Sequence, residues 1–487
     1  MSLPSAVALP HEVDLGYLDN SIPPDAKSFS VKIQPSNLSQ IQTSFTPATA
    51  SANLGDLVFP SQNILFDLPC SSSPSMFLDS RFTTLNFSAN FAITGAGSAS
   101  TFADSYLRSG AYAWFDRMYI TSQNGQIIED IGEFGLVNDT LIALQMNNSV
   151  RDGVSNQYGF DASTNITSQG HKIAVLSSST AASTTSTETH SYSIPLSSAV
   201  VGVLADKFLN IGRTSKIQVV LQTANVLPIT VTTGTIGTAC TVQVTLSNFS
   251  LQCEYIDIGF SALSMLDGTL KDGKSYIHGT TYRTSSASFP ASAGTTSLLA
   301  GIRASSVKSL FCRFAQGGAL TTTNSSNGKY DSVNPILNSI CFNVGGIKYP
   351  QTPINPLMQP SQSFRETQMA IGSFNNSQFQ SCITPTQYCK LSAVTGMAQD
   401  LTVGGSQEYS WNKGSSPASQ SQFIFGENVE VVARRGLLSG LNCTSAPIFV
   451  EMNTASAPTN GHTMYCIAML DQVLIHDIQS GDIQVRI

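Results

Sequence analysis

The chain has 487 residues, 24 Lys and Arg against 31 Asp and Glu, a net charge of −7, only 11% charged positions and 41% hydrophobic ones. Such a length suggests two or three domains with a large core, and the acidic balance without clustered basic residues excludes a surface built to neutralise nucleic-acid phosphates. The remainder is dominated by Ser, Thr, Asn, Gln and Gly, the mixture expected of many short strands joined by polar loops, so the chain reads as all-β.

The first fifty residues hold Lys27 and Lys32 against Glu12, Asp14, Asp19 and Asp25, which leaves no basic arm. MSLPSAVALPHEVDLG lacks the basic start and apolar middle of a signal peptide, and no run reaches the roughly 18 apolar residues of a membrane span, so the expectation is a soluble chain not exported by that route. With PSNLSQIQTSFTPATASANLG, residues 1–53 read as a polar extended arm.

Beyond the arm, period-two alternation marks the strands. In LNFSANFAI, Leu85, Phe87, Ala89, Phe91 and Ile93 share one face, and Asn86, Ser88 and Asn90 the other. The Gly-rich GAGSAS at 95–100 lacks the Lys and helix of a phosphate loop and reads as a strand-to-strand connection. In AYAWFDRMYI, Tyr112, Trp114, Phe115 and Tyr119 could form a carbohydrate platform, with core packing the favoured use. The first acidic cluster, Glu129, Asp130 and Glu133 in QIIEDIGEFG, is a candidate for paired-carboxylate chemistry, weighed against a solvated turn or strand face. In PLSSAVVGVLADKFLNIG, Ser198 can cap a helix with Val200, Val203, Leu204, Phe208 and Ile211 on one face, stopped by Gly212. KIQVVLQ alternates through Ile217, Val219 and Leu221. TVQVTLSNFSLQCEYIDI shifts phase between Val242, Val244, Leu246 and Phe249, Leu251, Cys253, Tyr255, which predicts a bulge or turn near Ser247 and Asn248.

FSALSMLDGTLKDG reads as a connector, helical at Ala262 to Leu266. Beyond it, SFRETQMAIG predicts a short helix from Ser363 to Gly372. FIFGENVEVV offers Glu427 and Glu430, three apart and so on opposite faces of a strand, and Arg434 with Arg435 suits a salt link or subunit contact better than a phosphate site. Six histidines, His11, His171, His190, His278, His462 and His476, lack HxxxH or HExxH spacing, with His462 and His476 read as loop and strand-edge residues. Nine cysteines, Cys70, Cys240, Cys253, Cys312, Cys341, Cys382, Cys389, Cys443 and Cys466, lack CxxC spacing and often sit in apolar runs such as SLFCRF, as buried free thiols of a reducing compartment do. No catalytic, cofactor or metal signature emerges.

Two patterns recur at nearly one offset. MYITSQNGQIIEDI and ICFNVGGIKYPQTPI are both strand, Gly turn, strand, with Gly125 matching Gly346 at 221; FSLQCEYIDI and MLDQVLIHDI end at Asp257 and Asp477, 220 apart. The chain therefore reads as one β-unit of about 200 residues written twice, each the size of a two-sheet sandwich. The expected division is 1–53, arm; 54–258, first unit; 259–274, connector; 275–487, second unit.

These features resemble the double jelly-roll major capsid proteins of tailless icosahedral double-stranded DNA viruses, and most of all those of virophages, Polinton-like viruses and the smaller relatives of giant viruses. The resemblance rests on IPLSSAVVGVLADKFLNIG with KIQVVLQTANVLP in the first unit, and NVGGIKYPQTPI, SFRETQMAIG and FIFGENVEVVARRGLLSGLNCTSAPIFVEMN in the second. It implies two tandem eight-stranded jelly rolls with a few short helices, a non-enzymatic chain without cofactors, and a homotrimer forming a pseudo-hexameric capsomer that tiles an icosahedral shell. The implied place is the virion, assembled inside an infected host cell. The implied partners are copies of the same chain, neighbouring capsomers, and penton and minor capsid proteins, with genome contact left to other proteins or an internal membrane. The alternative in another class is a glycan-binding or glycan-cleaving β-sandwich protein.

Overall fold

The computed structural model of the chain describes residues 26–41, 44–45, 61–70, 73–94, 101–102, 105–107, 110–159, 171–172, 185–205, 207–225, 228–231, 234–235, 241–270, 273–316, 329–330, 332–372, 381–383, 385–389, 422–430, 439–458 and 461–487. GAGSAS, His11, Cys240, Arg434 and Arg435 lie outside them. The first half contributes β1 (Lys27–Ile33), β2 (Asn63–Leu68), β3 (Met76–Thr94), β4 (Phe115–Ser122), β5 (Ile127–Gly132), β6 (Thr185–Pro195), β7 (Ile217–Thr223) and β8 (Thr241–Asp257). The second contributes β9 (Lys274–Phe289), β10 (Gly294–Ala300), β11 (Val307–Gln316), β12 (Leu337–Val344), β13 (Ile347–Ile354), β14 (Ile424–Asn428), β15 (Ile448–Thr454) and β16 (His462–Asp477), then a short β17 (Ile483–Arg486) beside β16.

Each half is a pair of antiparallel sheets. The first half orders its strands β1-β8-β3-β6 and β2-β7-β4-β5; the second orders them β9-β16-β11-β14 and β10-β15-β12-β13. Adding eight to each strand number of the first half reproduces the second, so the internal repeat expected from the sequence is a repeat of topology. Both sequence anchors fall at equivalent places. Gly125 and Gly346, with φ of 73° and 93°, turn the chain from β4 to β5 and from β12 to β13, a backbone conformation that only glycine adopts without strain. Asp257 and Asp477 end the last strands, opposite Lys27 and Lys274 of the first.

That last pairing corrects the expected arm. Residues 27–33 fall within the segment 1–53, yet KSFSVKI supplies β1 and occupies the edge that β9 occupies in the second half. Its alternation of Phe29, Val31 and Ile33 with Ser28, Ser30 and Lys32 suits an edge strand with one face on the sandwich, where Phe29 stacks on Tyr255 at 5.9 Å. The predicted irregularity in β8 is present: pairing with β3 shifts between Ser247 and Ser250, and Asn248 takes a φ of 57°.

The two sheets of each half meet over aromatic cores. Phe87 lies 5.4 Å from Phe115, 5.8 Å from Phe249 and 5.2 Å from Tyr192, while in the second half Phe342 stacks on Phe425 at 5.6 Å and Phe289 meets Phe314 edge-on at 5.6 Å. Leu85, Phe87, Ala89 and Phe91 are buried along one face of β3, as the alternation requires, and so are Ile217, Val219 and Leu221 of β7.

Among the described residues three helices exceed ten residues: α1 (Phe134–Gln145), α2 (Gly259–Thr269) and α3 (Pro360–Ile371). α2 and α3 fall where the sequence places them, α3 starting with Pro360 and ending at Gly372 in the left-handed conformation. α1 has no counterpart among the expected elements. Every residue from Phe134 to Leu144 is buried, so FGLVNDTLIAL shows no amphipathic stripe to betray it. The helix expected over 196–212 does not form. Ser198 does cap, but its hydroxyl accepts from the Val200 and Val201 amides in a compact turn, and Val203 N–H returns to the Leu196 carbonyl at 2.9 Å. A Cβ on Gly202 would stand 2.1 Å from that same carbonyl oxygen, which shows how tightly the turn is wound. Bridges from Leu209 to Leu78 and from Ala205 to Gly279 then tie the segment to both halves, overriding its helical spacing.

Candidate functional site

The acidic residues singled out by sequence lie on the seam between the halves. β5 runs along the outer surface of the second half's β9 and β16, and its Glu129 side chain is 1% exposed. One carboxylate oxygen accepts from the Ala199 amide at 3.0 Å and the Thr281 hydroxyl at 2.8 Å; the other accepts from the Ser198 hydroxyl. Burial raises the Glu129 pKa, opposed by those three donors. The neighbouring Asp130 turns the other way, into a bidentate pair with Arg117 at 2.7 Å. Glu133 contacts the Lys329 ammonium at 2.6 Å, and Asp116 accepts a hydrogen bond from it. Burial works against that ammonium, but Tyr330, Glu133 and Asp116 outweigh it and hold its pKa above the ordinary lysine value. The expected solvated face is therefore corrected for Glu129 and Glu133. Each of the three acidic groups has its own structural partner, and no two of them converge on a common cleft.

Further along the seam, Arg313 of β11 projects from the second half and is 1% exposed. It donates to Asp139 at 2.6 Å and Thr140 at 2.9 Å on α1, and to the Tyr330 carbonyl and Gln422 in its own half. Both terminal nitrogens of the buried guanidinium are matched in this way, each with two acceptors, while its Nε is buried without a hydrogen-bond partner. Around it, Tyr330 packs with Ala113 and Leu136, and the Ser381 hydroxyl and Cys382 amide bond to the Ala143 carbonyl at 2.8 and 3.1 Å. Gln472 of β16 donates to the Ile128 carbonyl at 3.2 Å. His476, four residues further along β16, meets Thr214 and the Arg213 carbonyl at 3.4 and 3.3 Å, and burial holds its pKa below the ordinary histidine value. These contacts are directional and buried, so they fix the angle between the halves more sharply than apolar packing alone. The sequence carries a signal for Arg313, a lone charge in the apolar run SLFCRF, but no signal for its partner on an unexpected helix.

The remaining candidates resolve individually. Tyr112, Trp114 and Phe115 are buried in the first half, which removes the aromatic platform. His462 and His476 lie within β16 and are buried, not in a loop or at an exposed edge, while His190 pairs with Glu188 at 2.8 Å. Among the described residues no group of three His, Cys, Asp or Glu side chains could hold a metal ion. The eight cysteines among the described residues are free thiols, and Cys253, Cys312, Cys341, Cys382, Cys443 and Cys466 are buried. Burial pushes the Cys253 and Cys466 thiols up to about 12, which keeps them protonated and unreactive.

Glu427 of β14 stands apart: one carboxyl oxygen is buried with no hydrogen-bond partner, while Glu430, beyond the strand, accepts from Ser439 at 3.0 Å. Burial, and then Glu366 on α3, push Glu427 up to about 8. A folded-state value above the unfolded one means that the native state holds the proton. The resulting stabilisation is complete below the ordinary carboxylate range and lost as pH rises through about 8. Thermal melts from about pH 6 to about pH 9 should show the wild type losing roughly 2–3 kcal/mol relative to Glu427→Gln. Parallel curves for the two proteins would contradict this.

No protein-family model and no curated protein matches the chain. Solved structures do. A chain of the Sputnik virophage structure determined by cryo-EM aligns over 100% of this chain and 93% of its own, with a TM-score of 0.56 and 11% identity. The crystal structure of the mavirus major capsid protein aligns over 100% of this chain and 96% of its own, with a TM-score of 0.50 and 12% identity. The fold is the double jelly roll. At such identities the fold is what is shared, and it spans the whole chain. Within this double jelly roll the seam joins the edge strand β5 of roll one to the outer face of roll two. Short strands Ser105–Leu107, Ile229–Val231 and His171–Lys172 bring three connections of roll one together as a separate ribbon.

Proposed function

We propose that the protein is a major capsid protein whose double jelly roll homotrimerises into a pseudo-hexameric capsomer, and that such capsomers tile an icosahedral shell. The observation that carries this reading is end-to-end likeness of fold to the mavirus major capsid protein, together with two rolls of identical topology in one chain. Three chains of two rolls make six similar units, which is the shape needed to tile hexagonally. The seam supports it: a shell block must hold its rolls at one angle, and buried Arg313–Asp139 and Glu129 contacts do so. The chain acts as wall material and not as a catalyst. It resides in the virion and is assembled inside an infected host cell, with the connector 259–274 linking the rolls. Penton and minor capsid proteins complete the shell, and the net charge of −7 leaves genome contact to other proteins or a membrane.

Light scattering on a sizing column is expected to give 155.1 kDa, three times the 51.7 kDa chain, and negative-stain images of the same peak a hexagonal outline. A stable 51.7 kDa monomer would overturn the capsomer reading.

A further inference from the structure

Lys329 stands on the connection between β11 and β12 of roll two, and two carboxylates of roll one meet its ammonium. It donates to Asp116 Oδ1, while Glu133 Oε2, a buried atom, lies 2.6 Å from the same nitrogen. None of the three side chains is more than 30% exposed. With both carboxylates ionised the triad carries one negative charge in excess, a surplus that the one-to-one Arg313–Asp139 pair avoids.

Both carboxylates reach Lys329 through irregular backbone. The pairing of β4 with β7 steps from Arg117 opposite Gln222 to Phe115 opposite Thr223, so Asp116 is the extra residue of a bulge. Bulges re-aim a side chain out of its ladder and are over-represented beside active sites. Glu133, at the N-cap of α1, takes a φ of 51°, an uncommon conformation for a residue with a side chain. Strain of this kind gathers where a group has to be held for chemistry. Just past β7, the Asn225 amide donates to Asp116 Oδ2 at 3.1 Å, so a backbone donor rests on one carboxyl oxygen and Nζ on the other. The buried Tyr330 ring has its centre 5.9 Å from Nζ, and Tyr465 packs against the Tyr330 cluster.

We propose that Lys329 and Asp116 condense to an intramolecular isopeptide bond, with Glu133 as the catalytic carboxylate, so that a covalent link joins roll two to roll one. One proton passes from the Lys329 ammonium to Asp116, leaving a neutral amine, a neutral carboxyl and the Glu133 carboxylate. The Nζ lone pair attacks Asp116 Cγ, and the Asn225 amide meets the negative charge that gathers on Oδ2. Glu133 takes a second proton from Nζ and delivers it to the hydroxyl at Oδ1, whose bond to Cγ breaks as water leaves. One N–C bond forms, one C–O bond breaks, and no oxidant or other reactant is consumed. Between free molecules in water such a condensation is unfavourable. Two groups fixed in one fold act on each other at an effective concentration of about 10⁵–10⁸ M, which reverses the balance. Tyr330, Glu133 and Asp116 keep the resting lysine charged, so the first proton transfer makes the reaction slow. It begins only after the rolls have docked, because the seam is what brings the two groups together.

Denaturing mass spectrometry of the purified full chain, stored folded, is the test. The expected mass is lower than the sequence mass by one water. Trypsin should then fail at Lys329 and release a branched peptide joining residues 109–117 to residues 314–348. Lys329→Met and Asp116→Ala are each expected to keep the full sequence mass. Glu133→Gln, with its fold checked by circular dichroism, should lose water about 10²-fold more slowly than wild type. A wild type that keeps its full sequence mass would overturn the inference and leave an ion-pair triad only, whatever the variants do. Loss of water with a linear peptide 109–117 and normal cleavage at Lys329 would place the dehydration elsewhere and overturn it equally. Glu133→Gln cross-linking at the wild-type rate would overturn the role given to Glu133. The bond lies within one chain, so these readings are the same for a monomer and a trimer and leave the capsomer reading to its own test.

Discussion

Arg313→Ala is expected to destabilise the chain by about 3–5 kcal/mol, because it takes the Arg313 cation away from the buried Asp139 carboxylate. Asp139 and Arg313 sit on different rolls, and both are almost fully buried. The effect therefore reaches beyond β11 to the docking of α1 against the second roll. A second substitution separates the missing charge from the missing bulk. Arg313→Met with Asp139→Leu replaces the pair by apolar side chains of similar reach and is expected to recover most of the loss, since a buried ion pair is often no more stabilising than well-packed hydrophobic residues. Urea midpoints of the three proteins give the comparison. If Arg313→Ala stayed within about 1 kcal/mol of wild type, the pair would have only the weight of an exposed surface bridge.

Gly279→Val should have a comparable effect by a steric route. A Cβ at Gly279 would lie 2.6 Å from the Ala199 Cβ and 2.9 Å from the Ala199 carbonyl oxygen. The second of these is backbone, already committed near the Glu129 carboxylate through the Ala199 amide. The turn cannot retreat without breaking that bond and the bridge from Ala205 to Gly279. A cost of about 3 kcal/mol, at the upper end of the overpacking range, is expected as a lowered melting temperature. Because the strain falls on the seam, Gly279→Val should also expose amides of β5 to hydrogen exchange ahead of the β3 core. Uniform protection across both strands would contradict that placement.

The parts of the fold that are legible in the sequence are those where one side of an element is buried and the other is not. LNFSANFAI and KIQVVLQ alternate because their strands separate core from solvent, and SFRETQMAIG has a polar side because α3 keeps one. Where both sides are covered the pattern vanishes. α1 is enclosed by both rolls, so its apolar and polar residues follow no helical period, and the seam that encloses it depends on contacts hundreds of positions apart, such as Gln472 with Ile128. Segment 196–212 shows the converse. Val200, Val203, Leu204, Phe208 and Ile211 fall at helical spacing, yet the chain there is anchored at Ser198, Ala205 and Leu209 to three different neighbours. β1 is legible in KSFSVKI alone but is submerged in the polar composition around it. Glu129 stands out in QIIEDIGEFG as a carboxylate between apolar neighbours; its dependence on Thr281, more than one hundred and fifty positions away, leaves no local trace.

The pairing of Lys27 with Asp257 and of Lys274 with Asp477 also sets a timetable for biosynthesis. Each roll places its first strand beside its last, so neither sheet can be completed until the end of its own segment has left the ribosome. Roll one can close when Asp257 emerges, while roll two is still being made, and its β5 edge and α1 must then wait in water for the surface that will cover them. Pairings separated by so much chain are slow to form, and an exposed edge invites wrong partners meanwhile. The polar character of the seam has a second use in that interval: Glu129, Asp139 and Glu133 give the waiting surface charges that keep it hydrated until Arg313, Lys329 and Thr281 arrive.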